Sequence, residues 1–98
     1  MQGRTEVIVI NTIDTVATAL NPLRAGATIS VRIDGGVEKI RLVSDIPKGH
    51  KLALKDMEEG VTVIKYGEPI GRTTAPIRRG EHVHVHNLAS QPRKGESL

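Results

Sequence analysis

The glycines of this chain recur at short intervals among short apolar runs, and this spacing limits what the chain can fold into. Between Gly49 and Gly80, successive glycines are 4–11 residues apart. Because glycine adopts positive φ without steric cost, it marks tight turns at which the chain reverses. The pattern therefore predicts a mostly-β domain of many short strands joined by tight turns.

Two of the predicted turns share a local pattern. Residues 46–50 and 77–81 both read Ile-x-x-Gly-x, and each is followed by a run that could form a strand. The shared spacing indicates structurally equivalent turns, although a pattern this short does not establish a repeat.

The N-terminal part of the chain is predicted to contain one strand and one short helix. Glu6–Asn11 has the composition of a strand. Asp14 is placed to cap a helix over Thr15–Leu20, which Asn21-Pro22 would end.

A β-hairpin is predicted in the middle of the chain. Thr28–Ile33 and Val37–Val43 alternate apolar and polar residues, and Asp34-Gly35-Gly36 between them is a hairpin turn signal. The apolar residues are mainly aliphatic, since the chain has no Phe or Trp and one Tyr, and a core of Val, Ile and Leu favours β structure. With 98 residues the chain has room for one domain, which we place at residues 1–90, followed by a flexible polar tail at 91–98.

Composition also argues against several functions. Sugar-binding modules and single-strand nucleic-acid binders usually present aromatic platforms, which one tyrosine cannot provide. The net charge of +3 is mild, with acids interspersed among the bases, whereas nucleic-acid binders usually carry a stronger basic stripe. There is no cysteine for a disulfide or a thiolate metal site. Since the sequence shows neither a signal peptide nor a membrane span, a cytoplasmic location is expected.

Three histidines alternate with two valines in His82-Val83-His84-Val85-His86. In a strand this spacing would place the three imidazoles on one face and bury the valines on the other. Neighbouring histidines would lie ~6.8 Å apart and the outer pair ~13 Å apart, so one ion could be shared by two of them, and by all three only with a bulge or strong twist. The row favours a shared active site over a three-histidine zinc centre. The alternative is a polar strand face that points to water.

Basic side chains are concentrated in the segment that leads into the histidines. If part of this set converges, it creates a local positive field suited to a small anion. The alternative, solvated cations that protect strand edges, would account for about half of them. The set consists of Lys48, His50, Lys51, Lys55, Lys65, Arg72, Arg78 and Arg79.

Three motifs carry a family resemblance. They occur in order as Ile46-Pro47-x-Gly49-His50-Lys51-x-Ala53-Leu54, Val63-Ile64-Lys65-Tyr66-Gly67-x-x-Ile70-Gly71 and Ile77-x-x-Gly80-Glu81-His82-Val83-His84-Val85-His86-Asn87. The chain resembles the small SAF-type domain of the altronate and galactarate dehydratase family, and also the small subunit of sulfolactate sulfo-lyase. The resemblance runs from about Thr5 to Asn87 and is densest in the second half. In this family the domain is either the N-terminal part of a long chain or a free-standing small subunit.

The resemblance implies a β-clip fold with one or two short helices, and a hydro-lyase subunit that is not active alone. The activity would be elimination of water from a small hydroxy acid, together with a large catalytic subunit of the same lyase. A divalent metal is implied, Fe²⁺ or Mn²⁺, which the large subunit could share. The implied partners are that subunit and an anionic substrate, without nucleic acid or membrane; self-association into a homo-oligomer is left open.

Alternatives to this function remain. One is the small subunit of a sulfolactate sulfo-lyase, in which sulfite rather than water would leave. Another is an SAF module that binds without catalysing, and a third is a stand-alone metal-binding protein built on the histidine row.

The candidate site residues follow from the motifs. Histidines can act as metal ligands or as acid and base, lysines can pair with a substrate carboxylate, and a tyrosine can donate to a hydroxyl or an oxyanion. Simpler roles are also open: a bond from His50 to its own turn, core packing of Tyr66, and solvated lysines. Glu81 is expected to be structural, and Asn87 to end the strand with a side-chain-to-backbone bond. The candidates are His50, Lys51, Lys65, Tyr66, His82, His84 and His86, with His84 and His86 as candidate metal ligands.

Overall fold

All regular elements that the structure describes are β-strands. The computed structural model describes residues 7–8, 13–33 and 35–90. Within them the chain forms a four-stranded sheet in the order β1-β2-β5-β8, a β3-β4 hairpin and a three-stranded sheet in the order β6-β7-β9, with antiparallel pairing throughout. The strands are β1 Val7–Ile8, β2 Val16–Ala19, β3 Thr28–Ile33, β4 Gly36–Arg41, β5 Lys51–Ala53, β6 Thr62–Lys65, β7 Glu68–Thr73, β8 His82–Val83 and β9 Leu88–Ser90.

The same turn occurs four times in the described residues. In each copy a buried aliphatic residue or methionine is followed three positions later by a glycine with φ between +84° and +88°. The buried residues pair across the two hairpins as antiparallel bridges, Leu23 with Ile46 and Met57 with Ile77. Each hairpin is therefore flanked by two copies of the turn. The turn glycines are Gly26, Gly49, Gly60 and Gly80.

The second and fourth copies of the turn bind the preceding strands in the same way. The N–H of Gly49 donates to the carbonyl of Ala19 at 2.9 Å, and the N–H of Gly80 donates to the carbonyl of Ala53 at 2.8 Å. The N–H groups of Ala19 and Ala53 donate in return to the residues after those glycines, His50 and Glu81. The predicted equivalence of these two turns is thus confirmed, and the pattern extends to a repeat of strand, turn, hairpin and turn.

The core consists of two aliphatic clusters with the four-stranded sheet between them. Ala17 and Leu52 belong to the first cluster, which covers the β3-β4 hairpin. Val16 and Ala53 belong to the second, which is packed against β6 and β7. Because side chains alternate along a strand, β2 and β5 supply both clusters. A core without aromatic rings is what the composition predicts, and the mostly-β fold is confirmed.

The predicted helix over Thr15–Leu20 is wrong, because these residues contain β2. Asp14 does not cap a helix: its Oδ1 atom accepts a hydrogen bond from the N–H of Gly67 at 2.8 Å. The Thr15 side chain likewise accepts from the N–H of Ile64 at 2.9 Å. Long-range acceptor roles have replaced the local one that the helix signal implied. No helix in the described part of the chain is long and apolar enough to cross a membrane.

The remaining local predictions concern the central hairpin, the first strand and the C-terminal tail. The predicted hairpin is confirmed, with Ile33 opposite Gly36 at its turn, although β4 ends at Arg41. Of the predicted first strand, Val7–Ile8 is described as β1, and the rest of Glu6–Asn11 lies outside the described residues. The proposed tail at residues 91–98 also lies outside them.

Two turn glycines offer a matched test of packing. Gly26 and Gly80 share a φ of +88°, but a Cβ on Gly80 would collide with the carbonyl oxygen of Arg41, whereas one on Gly26 would meet nothing within 4 Å. We expect Gly26→Ala to lower the free energy of unfolding by about 1–2 kcal/mol through its left-handed backbone. Gly80→Ala should lower it by a further ~1–3 kcal/mol, because the backbone must move. Urea unfolding of both variants measures the difference, and equal losses would contradict the collision.

Candidate functional site

The histidine row does not form a continuous strand. Strand β8 ends at Val83, and residues 84–87 form a turn in which the N–H of Asn87 donates to the carbonyl of His84 at 3.0 Å. The predicted burial of both valines is therefore wrong for Val85, whose side chain is 80% exposed. Val83 is buried as expected.

The side chain of Asn87 explains this turn. Asn87 is 3% exposed; its Oδ1 accepts from the N–H of His84 at 2.9 Å, and its Nδ2 donates to the carbonyl of His82 at 2.9 Å. Such local side-chain bonds offer the backbone an alternative to a strand ladder. The expected side-chain-to-backbone bond of Asn87 is present, but it closes a turn between the histidines.

The turn and the neighbouring strand bring the imidazoles together. Atom Nδ1 of His50 lies 2.9 Å from Nε2 of His82, and the rings of His50 and His84 stack with centroids 4.1 Å apart. One ring nitrogen from each of His50, His82 and His84 lies within 4.8 Å of the others. We call these three residues the histidine cluster. His86 is exposed, and its ring centroid lies 5.2 Å from that of His82.

His50 reaches the cluster through the repeated turn. It follows the glycine of the second copy and directly precedes β5. Strand β5 pairs with β8, with Leu52 opposite His82, so His50 lies beside the turn that carries His84. The backbone N–H of His50 does bond its own turn, donating to the carbonyl of Pro47 at 3.0 Å, while its ring contacts the His82 ring.

The electrostatics of the site are those of crowded bases. The pKa of Lys51 is lowered by burial and then by repulsion from Lys65. Burial also lowers the pKa of His82, with repulsion from the other three histidines and from Lys51 adding to it. The pKa of His84 is lowered by desolvation, then by His50, Lys51 and His86. A small anion placed here would relieve the repulsion among these groups.

Lys65 and Tyr66 lie at the turn between β6 and β7. Tyr66 has a φ of +53° and Gly67 a φ of +78°, the signs that a type I′ hairpin turn requires at its two central residues. The ammonium of Lys65 lies 5.2 Å from the centroid of the Tyr66 ring, within the range of a cation–π contact. The Tyr66 side chain is not core packing, because the residue is 40% exposed.

Other motif residues and basic residues hold turns in place. The carboxylate of Glu81 accepts from the N–H of Arg78 at 2.8 Å, which is the structural role expected of it. Arg79 pairs with Glu38 at 2.8 Å, and Arg72 donates to the carbonyl of Gly60 at 3.3 Å. The basic segment therefore divides: Lys51 follows His50 and acts electrostatically on His82 and His84, Lys65 lies close enough to Lys51 to repel it, and these arginines are engaged elsewhere.

Ser44 is a site residue that the sequence did not indicate. Its Oγ accepts from the N–H of His82 at 2.9 Å, across 38 residues of sequence. It fixes the open edge of β8, where no further strand pairs within the described residues. A lone serine after a strand carries no pattern that would have revealed this role.

The cluster suits a divalent transition metal. Imidazole is a good ligand for such ions when it is neutral, and lowered pKa values favour the neutral form of His82 and His84. Nitrogens bound to one ion lie about 3–3.5 Å apart in tetrahedral or octahedral geometry. One ring nitrogen of each cluster member lies within 4.8 Å of the others, and Nδ1 of His50 is 2.9 Å from Nε2 of His82, so small ring rotations would bring the nitrogens to this spacing.

The lowered histidine pKa values predict how stability depends on pH. Below about pH 6.5, the ordinary histidine pKa, His82 and His84 bind protons more readily in the unfolded chain than in the folded site. The metal-free protein should therefore keep this part of its stability above that pH and lose it as the pH falls. Urea midpoints at about pH 7.5 and about pH 5 measure the loss. The loss of stability on acidification should be smaller in a His82→Gln/His84→Gln variant. An equal loss would show that these two histidines do not cause it.

Comparison with known proteins places the chain in a family. The family model of the altronate/galactarate dehydratase SAF domain matches residues 5–91. An altronate dehydratase of Escherichia coli K12 is 44% identical over 82 residues, which is 84% of this chain and 16% of that enzyme. The (2R)-sulfolactate sulfo-lyase subunit alpha of Chromohalobacter salexigens is 59% identical over 46 residues, or 47% of this chain and 49% of that subunit. The corresponding subunit of Paracoccus pantotrophus is 46% identical over 61 residues, which is 62% of this chain and 91% of its own length.

These matches cover very different shares of the relatives. The chain spans about a sixth of the Escherichia coli altronate dehydratase and about half of the Chromohalobacter subunit. The matched region nevertheless includes all three motifs, the Tyr66–Gly67 turn and the turn at residues 84–87. The chain belongs to the SAF-domain family of the altronate and galactarate dehydratases.

Proposed function

We propose that this chain is the small SAF-type part of a sugar-acid dehydratase of the altronate and galactarate type. It would act with a separate large catalytic part to eliminate water from a small hydroxy acid, and it would not be active alone. The observation that supports this most is the histidine cluster beside Lys51, which combines imidazole bases with a lysine side chain at one surface. A cytoplasmic location fits the metabolic chemistry that the relatives' names describe.

The chemistry of elimination matches the groups at the site. Loss of a proton beside a carboxylate places negative charge on that carboxylate, which cations must stabilise while an acid assists the leaving hydroxyl. Lys51 and Lys65 would hold the carboxylate. A neutral histidine would accept the proton at a ring nitrogen, and the Tyr66 hydroxyl would donate to the substrate hydroxyl or to the developing oxyanion.

We further propose that His50, His82 and His84 hold a divalent metal, Fe²⁺ or Mn²⁺. A metal bound there would supply a Lewis acid for the substrate's oxygen atoms. The set shares His84 with the pair expected from sequence, and the pairing of His84 with His86 stays a prediction. His86, which is exposed beside His82, would complete the site at the boundary with the large part.

A second candidate function is the small subunit of a sulfolactate sulfo-lyase. Two relatives with that name align with this chain, and one of them is matched over 91% of its length. The same cations and bases would serve, with sulfite as the leaving group in place of water. The choice of leaving group would then depend on contacts from the large subunit.

The metal assignment can be tested on this chain without a partner. Wild-type protein should bind Mn²⁺ at one site, and His84→Ala should weaken binding at least about tenfold, or about 1.4 kcal/mol. Isothermal titration calorimetry measures both, and Arg72→Gln serves as a control that leaves the cluster intact. Equal affinities for wild type and His84→Ala would reject the cluster as the metal site.

The activity can be tested by recovering the tagged protein from its native host with any partner bound. The eluate should release water from altronate or galactarate, or sulfite from sulfolactate, when Fe²⁺ is added. His84→Ala or His86→Ala should abolish turnover of the reconstituted enzyme while the small chain stays folded. Wild-type turnover in both variants would refute the histidine roles, and a partnerless, inactive protein would favour a binding module.

A further inference from the structure

Asp14 is a buried carboxylate that lies outside the three motifs and outside the site described above. It is 4% exposed, and its Oδ1 accepts from the N–H of Gly67 at 2.8 Å, across 53 residues of sequence. Its Oδ2 is also buried and has no hydrogen-bond partner. Burying a carboxylate is unfavourable unless its interactions compensate. The hydrogen bond from the Gly67 N–H is the compensating interaction that the structure shows for the Asp14 carboxylate.

The turn that Asp14 contacts needs support from outside itself. Both of its central residues, Tyr66 and Gly67, have positive φ. Glycine adopts this conformation freely, but tyrosine has a Cβ that disfavours it, and Tyr66 is the one non-glycine residue with positive φ in the described part of the chain. The common type I′ sequence has Asn or Asp in that position. A hydrogen bond that fixes Gly67 therefore also fixes the backbone of Tyr66.

Asp14 and its neighbour Thr15 hold different parts of the same hairpin. Thr15 exchanges hydrogen bonds with Ile64: its N–H donates to the Ile64 carbonyl, and its Oγ1 accepts from the Ile64 N–H, both at 2.9 Å. These bonds fix strand β6 against the residue that directly precedes β2. Asp14 alone of the two contacts the turn, so strand docking and turn geometry depend on separate side chains.

We propose that Asp14 is a positioning residue of the candidate site, which fixes the Tyr66–Gly67 turn and thereby places Lys65 and Tyr66. The Lys65 ammonium lies over the Tyr66 ring, with its nitrogen 5.2 Å from the ring centroid. A turn free to reorient would move the Tyr66 hydroxyl and the Lys65 ammonium together. The relevance to substrate rests on the proposed function, whereas the positioning is a property of this chain alone.

The positioning can be tested by NMR on the isolated 98-residue protein. Tyr66 is the only Phe, Trp or Tyr in the sequence, so its ring signals are unambiguous, and its ring current shifts the side-chain protons of Lys65. Asp14→Ala should remove that shift, whereas Asp14→Asn, which keeps an oxygen acceptor, should retain it. Thr15→Val removes the neighbouring bond and should lower stability without removing the shift.

Three results would overturn the proposal. The first is an unchanged Lys65 shift in Asp14→Ala, and the second is an equal loss of the shift in Thr15→Val. The third needs no variant: the Gly67 amide of the wild-type protein should be protected from hydrogen exchange, and exchange as fast as that of the exposed Gly35 amide would reject the bond. This measurement decides the matter even if Asp14→Ala does not fold.

The consequence for substrate is tested in the reconstituted enzyme. Asp14→Ala should lower kcat/KM at least about tenfold, because the displaced lysine and tyrosine both bind the substrate and stabilise the charge that develops on it. Asp14→Asn should restore kcat/KM. An unchanged kcat/KM in Asp14→Ala would refute a role in substrate placement. If the wild-type enzyme has no lyase activity, the proposed function fails, and the NMR comparison still decides the positioning.

Discussion

The hydrogen bonds that tie the second and fourth copies of the repeated turn to the strand before each hairpin hold this fold together. A strand of two to four residues buries too little apolar surface to be stable alone. Here the carbonyl of Ala19 accepts from the N–H of Gly49, and the carbonyl of Ala53 accepts from the N–H of Gly80. The turn that follows a hairpin is thereby tied to the strand that precedes it, so strands as short as β5 and β8 acquire fixed neighbours. The aliphatic core then fills both sides of the sheet.

The candidate site is a consequence of the same arrangement. In the second and fourth copies of the turn, the residue after the glycine directly precedes a strand of the four-stranded sheet, which places His50 next to β5 and Glu81 next to β8. Because β5 pairs with β8, imidazoles that are 32 residues apart in sequence lie 2.9 Å apart. Two polar side chains complete the site, since Ser44 holds the edge of β8 and Asn87 closes the turn after it. Desolvation, and then repulsion among the crowded bases, lowers the pKa values of His82, His84 and Lys51.

The sequence predicted those parts of the fold that depend on local patterns. The β3-β4 hairpin, the equivalence of two turns and the aliphatic core follow from alternation, glycine spacing and composition. The helix prediction failed because an N-cap signal is local, whereas the acceptor of Asp14 is used by Gly67 across 53 residues. The histidine strand failed because the Asn87 side chain replaces ladder bonds, which alternation cannot show. The meeting of His50 with His82 and His84 depends on the register of β5 and β8, and no residue pattern within one segment encodes that register.

The proposed site exists only if this chain assembles the histidine cluster by its own folding. Titration of Mn²⁺ into histidine-labelled protein, followed by the paramagnetic broadening of each imidazole signal, tests this assembly most directly. The signals of His50, His82 and His84 should broaden together at the lowest metal concentrations, although His50 is remote from the others in sequence. Broadening confined to His82, His84 and His86, with His50 unaffected, would contradict it.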